Sequence, residues 1–69
     1  MIKKATLKSF NPGNYRATVQ LAGSYKAYLE GMDVAYNLPV EEMLPGRKVA
    51  VLFFDEHNPG DAVIICVYG

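Results

Sequence analysis

The chain has 69 residues, of which 51% are hydrophobic, and its seven basic and seven acidic side chains leave no formal net charge. A chain this short is one domain, residues 1–69, with a small core, because it buries only about 60% of its unfolded surface. Zero net charge gives no broad basic field for nucleic-acid backbones, and a single cysteine and a single histidine argue against disulfides and zinc.

Turn-forming residues divide the chain into strand-sized segments. The first segment, 2–10, ends at the turn Asn-Pro-Gly-Asn at 11–14. The second, 15–21, alternates apolar and polar residues, as a half-buried strand does. The third, 25–36, contains Gly31, and a glycine inside a strand indicates a bulge or a bend.

A short helix is predicted after the third strand. Pro39 suits the first turn of a helix, and Glu41 and Glu42 follow it, where acidic side chains favour a helix N-terminus. One or two helical turns are therefore expected between the third and fourth strands.

The last two strands are predicted to form a hairpin. Pro45 and Gly46 suit the central positions of a type II turn before the fourth strand, 49–55, and a turn at 57–61 leads to the fifth strand, 62–68. Three strands, a short helix and two strands predict an all-β fold, a small five-stranded OB-like barrel. An SH3-like barrel is the alternative, but its helical turn usually lies between the last two strands.

Both faces of the last two strands are apolar, although a strand with one face in water should alternate. One set of side chains is expected to fill the barrel: Val49, Val51, Phe53, Val63, Ile65 and Val67. The other set needs a cover, either from the short helix and the long third strand or from another subunit. The predicted oligomer interface is the outer face of the hairpin: Leu52, Phe54, Ile64 and Tyr68.

Catalytic and metal sites find no support in the sequence. The acidic residues and the histidine of the 55–61 loop surround Pro59-Gly60, which explains the loop as a hairpin turn. Cys66 lies in an apolar strand, where a buried structural thiol is expected. We therefore predict no enzymatic activity, no catalytic residue, no metal and no cofactor.

Single-stranded nucleic-acid binding is the alternative function, because OB barrels bind single strands with stacked aromatic rings and a basic groove. Basic residues concentrate in the first three strands, whereas acidic residues occur from Glu30 onward. The candidate nucleic-acid face consists of Lys4, Arg16, Tyr25, Lys26 and Tyr28.

The strand sequences also resemble a known family. Pro-Gly-Arg-Lys-Val-Ala-Val-Leu-Phe at 45–53, Ala-Val-Ile-Ile-Cys-Val-Tyr at 62–68 and Arg-Ala-Thr-Val-Gln-Leu at 16–21 resemble OB domains of phage tail baseplate-spike and baseplate-assembly proteins. This chain has Cys-Val-Tyr at 66–68, where those domains have a glycine. The resemblance implies a structural component of a virion or prophage that builds a ring, commonly a trimer.

The sequence thus predicts a self-assembling structural or adaptor module. Its expected partners are copies of itself, in a trimer or larger ring, and other structural proteins, with nucleic acid as the alternative. No membrane is expected, because no apolar run reaches the roughly 18 residues that a membrane span requires. The lone cysteine fits a reducing compartment, and the expected location is the cytoplasm or a virion.

Overall fold

The computed structural model describes residues 1–23, 28–55 and 57–69. Its strands are β1 (Ile2–Asn11), β2 (Arg16–Leu21), β3 (Tyr28–Val34), β4 (Lys48–Phe53) and β5 (Ala62–Tyr68). A 3-10 turn, Val40–Glu42, lies between β3 and β4. The predicted all-β class, the five-stranded barrel and the short helix after the third strand are confirmed. In the described ranges, no helix has the length and apolarity to cross a membrane.

The strands close into a barrel in the order β1-β2-β3-β5-β4, and β4 pairs with β1 to complete it. Neighbouring strands are antiparallel except β3 and β5. Their parallel pairing joins Asp33 to Val63 and Val34 to Ile64. This seam is the shortest in the barrel, because the chain leaves β3 for the helical turn soon after it meets β5.

Register shifts in three of the strand pairs help five short strands to close, since a bulge bends and twists a strand. In β1, Leu7 pairs with Val19 and Ser9 with Thr18, which leaves Lys8 as the extra residue. In β3, the shift lies at 30–31, where Gly31 has a φ of +65°. The bend that the sequence predicts at Gly31 is confirmed.

The third register shift lies in β5. Ala50 of β4 pairs with Cys66, but the next residue, Val51, pairs with Ile64, so Ile65 is the extra residue. An extra residue of this kind reverses the alternation of inward and outward side chains beyond it.

This shift corrects the predicted faces of the last strand. The expectation that Ile64 lies on the outer face is wrong, because Ile64 is 0% exposed inside the barrel. Val63 and Ile65, which were expected to fill the barrel, are only half-buried, whereas Val67 packs against the core as expected. Alternation could not reveal the shift, because all residues from 62 to 67 are apolar.

The barrel interior is filled by apolar side chains from all five strands. The largest fully buried ones are Leu7, Val19, Val49, Val51 and Ile64. Leu38 and Met43, on either side of the helical turn, join the same core. Because they follow β3 and precede β4, they cover the end of the barrel at which β1 and β3 finish, which we call the closed end.

Shortening Ile64 to valine should lower the free energy of unfolding by about 0.5–1.5 kcal/mol, because it removes buried atoms from a packed interior. Ile65→Val is the matched control, and its effect should be clearly smaller because Ile65 is half-buried. Urea denaturation followed by circular dichroism measures both variants. Equal losses at the two positions would contradict the bulge in β5.

Candidate interaction face

The outer surface of β1, β4 and β5 carries apolar side chains that stand in register. Ile2 of β1 pairs with Leu52 of β4, and Leu52 pairs with Val63 of β5. Phe54 continues β4 by one row, since its N–H donates to the carbonyl oxygen of Asp61 at 2.9 Å. We call the surface formed by Ile2, Leu52, Phe54 and Val63 the hairpin face.

The hairpin face is substantially open to solvent. Phe54 is 65% exposed and Ile2 is 62% exposed, while Leu52 and Val63 are half-buried between their neighbours. Single exposed apolar residues are normal on protein surfaces, but neighbouring ones on adjacent strands form a patch of the kind that marks a contact surface.

Hydrogen bonds to Met1 hold the β1 edge of this face in place. The Phe53 N–H donates to the Met1 carbonyl oxygen at 2.7 Å, and the Met1 amino group donates to the Phe53 carbonyl oxygen at 3.2 Å. These bonds extend the β1–β4 ladder beyond Ile2. The side chain of Ile2 is therefore fixed beside Leu52, and the apolar surface continues from β4 onto β1.

The predicted interface residues do not form one cluster. Leu52 and Phe54 belong to the hairpin face, and Ile64 lies in the core. Tyr68 is 38% exposed and pairs with Lys48, two rows from Leu52 toward the closed end. The row between them consists of half-buried Ala50 and Cys66.

Sequence reasoning missed Ile2 and Val63. Ile2 joins the face through the pairing of β1 with β4, which connects residues about 50 positions apart and has no local signature. Simple alternation predicts Val63 inside the barrel, because the shift at Ile65 leaves no mark in an apolar segment.

The acidic loop between β4 and β5 is organised by its own side chains. The Asp55 carboxylate accepts a hydrogen bond from the His57 N–H at 2.9 Å, and the Asn58 side-chain oxygen accepts one from the Gly60 N–H at 3.1 Å. These bonds are typical of turns. In the part of the chain that the structure describes, histidine, cysteine and carboxylate side chains form no group of three or more able to hold a metal ion.

The described residues of the alternative nucleic-acid face are spread over the barrel. Lys4 lies near the start of β1, whereas Arg16 pairs with Asn11 at the end of that strand. Asn11 is seven positions after Lys4, about 23 Å along a strand. Tyr28 is exposed at the start of β3. The other two predicted positions, Tyr25 and Lys26, lie outside the described residues.

Arg16 also has partners within the chain. Its Nη2 lies 3.7 Å from Oδ1 of Asp33, and its Nη1 donates to the Gly31 carbonyl oxygen at 3.3 Å. The nearby carboxylate offsets the arginine charge, which reduces the attraction of this surface for phosphate groups.

A second feature that the sequence did not reveal is an aromatic cluster at the closed end. Phe10 and Tyr15 meet edge to face with ring centroids 5.1 Å apart, and Tyr36 tilts against Tyr15 at 5.6 Å. Tyr15 ends the β1–β2 turn with a φ of +52°, a conformation that disfavours side chains other than glycine, asparagine and aspartate.

Contacts of Tyr15 explain why this conformation persists. Its hydroxyl donates to the carbonyl oxygen of Leu38, and its own carbonyl oxygen accepts from the Val34 N–H at 3.1 Å. An aromatic pair contributes about 0.5–1.5 kcal/mol beyond its buried area, which offsets a left-handed backbone cost of about 1–2 kcal/mol. The cluster therefore fastens the β1–β2 turn to the segment that covers the barrel end.

Comparisons of this chain with protein-family models, with curated proteins and with solved structures gave no match.

Replacing Tyr15 with phenylalanine should lower the free energy of unfolding by about 0.5–1.5 kcal/mol, because the rings still pack but the hydrogen bond to Leu38 is lost. Tyr36→Phe is the control and should leave stability unchanged, since Tyr36 is 87% exposed. Both are measured by urea denaturation. A Tyr15→Phe variant as stable as Tyr36→Phe would contradict this role of the hydroxyl.

Proposed function

We propose that this chain is a non-enzymatic structural or adaptor module that assembles with copies of itself through the hairpin face. The observation that carries the proposal is the register of Ile2, Leu52 and Val63 across three adjacent strands, with Phe54 exposed beside them. Such a patch favours a contact surface over a solvated face.

Burial of this patch would add stability that the small core lacks. Full burial of a leucine, isoleucine or phenylalanine side chain contributes about 1.5–3 kcal/mol. Whole domains are stable by only about 5–15 kcal/mol, and small ones tend to need an additional source of stability. Covering Phe54 and Ile2 in a second subunit would therefore raise stability by a sizeable fraction.

The arrangement of the strands and the helical turn favours an OB-type barrel over an SH3-like barrel. Its helical turn lies between β3 and β4 at the closed end, and its last two strands are joined by a hairpin loop. Together with the resemblance of residues 16–21, 45–53 and 62–68 to OB domains of phage baseplate proteins, this supports a structural component of a virion or prophage. The proposed location is accordingly the virion or the cytoplasm in which it assembles.

Assembly is better supported than the alternative of single-stranded nucleic-acid binding. Arg16 is paired with Asp33, and Lys4 lies near the opposite end of β1 from Arg16. The formal net charge is zero, so a phosphate backbone gains little from the field of the whole molecule.

Phe54→Asp should weaken self-association by about 10- to 100-fold, because the substitution would bury a charge in place of an apolar side chain. In light scattering on a sizing column, the native chain at high concentration should have a whole-number multiple of its 7.6 kDa monomer mass. Tyr36→Asp is the matched control, since Tyr36 is an exposed ring outside the hairpin face. It should keep the native mass.

Two results would contradict the proposal. The first is a native chain that is monomeric at every concentration. The second is an oligomer whose mass is unchanged by Phe54→Asp and by Ile2→Asp, both shown by circular dichroism to be folded. Saturable binding of a single-stranded oligonucleotide at moderate salt, lost in Lys4→Ala, would favour the nucleic-acid alternative.

A further inference from the structure

Unlike charges lie at opposite corners of the hairpin face. Lys4 pairs with Ala50, one row from Leu52 toward the closed end, and lies on the β1 side. Asp61 is beside Phe54, one row from Leu52 in the other direction, and lies on the β5 side. Both are exposed, and in the described ranges neither forms an ion pair within the chain.

The apolar residues share this diagonal arrangement around Leu52. Ile2 is the neighbour of Leu52 on the adjacent strand β1, and Phe54 is its neighbour one row along β4. A two-fold axis that lies in the contact plane and runs diagonally past Leu52 would place Ile2 of one copy opposite Phe54 of a second copy. The same axis would place Lys4 of one copy opposite Asp61 of the other.

We propose that the hairpin face is self-complementary and joins two copies of this chain as an isologous pair. In that pair, Ile2 of each copy packs on Phe54 of the other, and the two Leu52 side chains meet near the axis. Lys4 of each copy faces Asp61 of the other, which gives two ion pairs at the rim of an apolar centre. This inference rests on the proposed function, because it describes how the same face meets its partner.

The available surface is sufficient for such a pair. A specific interface buries about 800 Å² on each partner, roughly a fifth of the 4388 Å² of accessible surface of this chain. The outer surface of three of the five barrel strands can provide that share. A head-to-tail ring contact would instead join the hairpin face to a different surface and would not require Lys4 and Asp61 to match.

The test is a pair of charge reversals, Lys4→Glu and Asp61→Lys. Each should weaken self-association by about 100-fold, since each turns both ion pairs of the dimer into like-charge contacts at about tenfold each. Dissociation constants come from light scattering across a dilution series. Lys8→Glu and Glu41→Lys are controls with the same charge changes outside the hairpin face, and they should keep the native constant.

The decisive measurement is a mixture of the two weakened variants in equal amounts. In a two-fold heterodimer, the introduced glutamate faces the introduced lysine, and the native Lys4 faces the native Asp61. Association should therefore return to within a few-fold of the native constant, with the mass of a dimer. Mixing either weakened variant with a control variant should instead give a heterodimer about tenfold weaker than the native pair, because one of its two ion pairs is then a like-charge contact.

The outcomes separate this inference from the proposed function. An oligomer that Phe54→Asp dissociates, but whose mass is a trimer or larger ring, overturns the two-fold pair and leaves assembly through the face intact. Failure of the mixed variants to regain association does the same. A native chain that is monomeric at all concentrations overturns both.

Discussion

The pairing of β1 with β4 is the interaction on which the barrel and its surface depend. β1 pairs with β4 over residues 2–6 and with β2 over residues 5–11, so one ten-residue strand closes the cylinder. The bulge at Lys8 lies two residues beyond Thr6, where pairing with β4 ends, and it lets both Leu7 and Phe10 reach the core. The same pairing sets Ile2 beside Leu52. The closure that buries the core therefore also creates the apolar surface outside it.

The bulges determine which apolar side chains face the core and which lie on the outer surface of the barrel. In β5 the extra residue Ile65 allows Ile64 and Val67, three positions apart, to serve the same interior. Side chains three positions apart in a regular strand point to opposite faces of the sheet. Without the shift, Ile64 and Val67 could therefore not both face the interior. The shift leaves Val63 on the outer surface next to Leu52. A strand that is apolar on both sides thus supplies a packed interior and one row of an exposed patch.

Local signals in the sequence were sufficient to predict the strands, but not to predict which side chains of each strand face the core. Proline, glycine and asparagine predicted the turns because these residues act through their own backbone preferences, and Gly31 predicted a bend for the same reason. Alternation placed Val49, Val51 and Phe53 inside correctly. It failed in β5, where polar residues that would mark the outer face are missing. The roles of Ile2 and Tyr15 could not be predicted, because they arise from contacts with residues far along the chain, Leu52 and Leu38.

The two sides of the barrel differ in a way that favours contact on one and solvent on the other. The outer surface of β2 and β3 carries the Arg16–Asp33 ion pair and the half-buried Thr18 and Gln20, with one exposed ring, Tyr28, beside Gln20. The surface of β1, β4 and β5 has exposed apolar side chains beside Leu52, with Lys4 and Asp61 at the corners of the hairpin face. Lys48 lies two rows from Leu52 toward the closed end. In the proposed pair, the polar side of each copy stays accessible. In the proposed adaptor role, these two outward surfaces are the ones left for contact with other components.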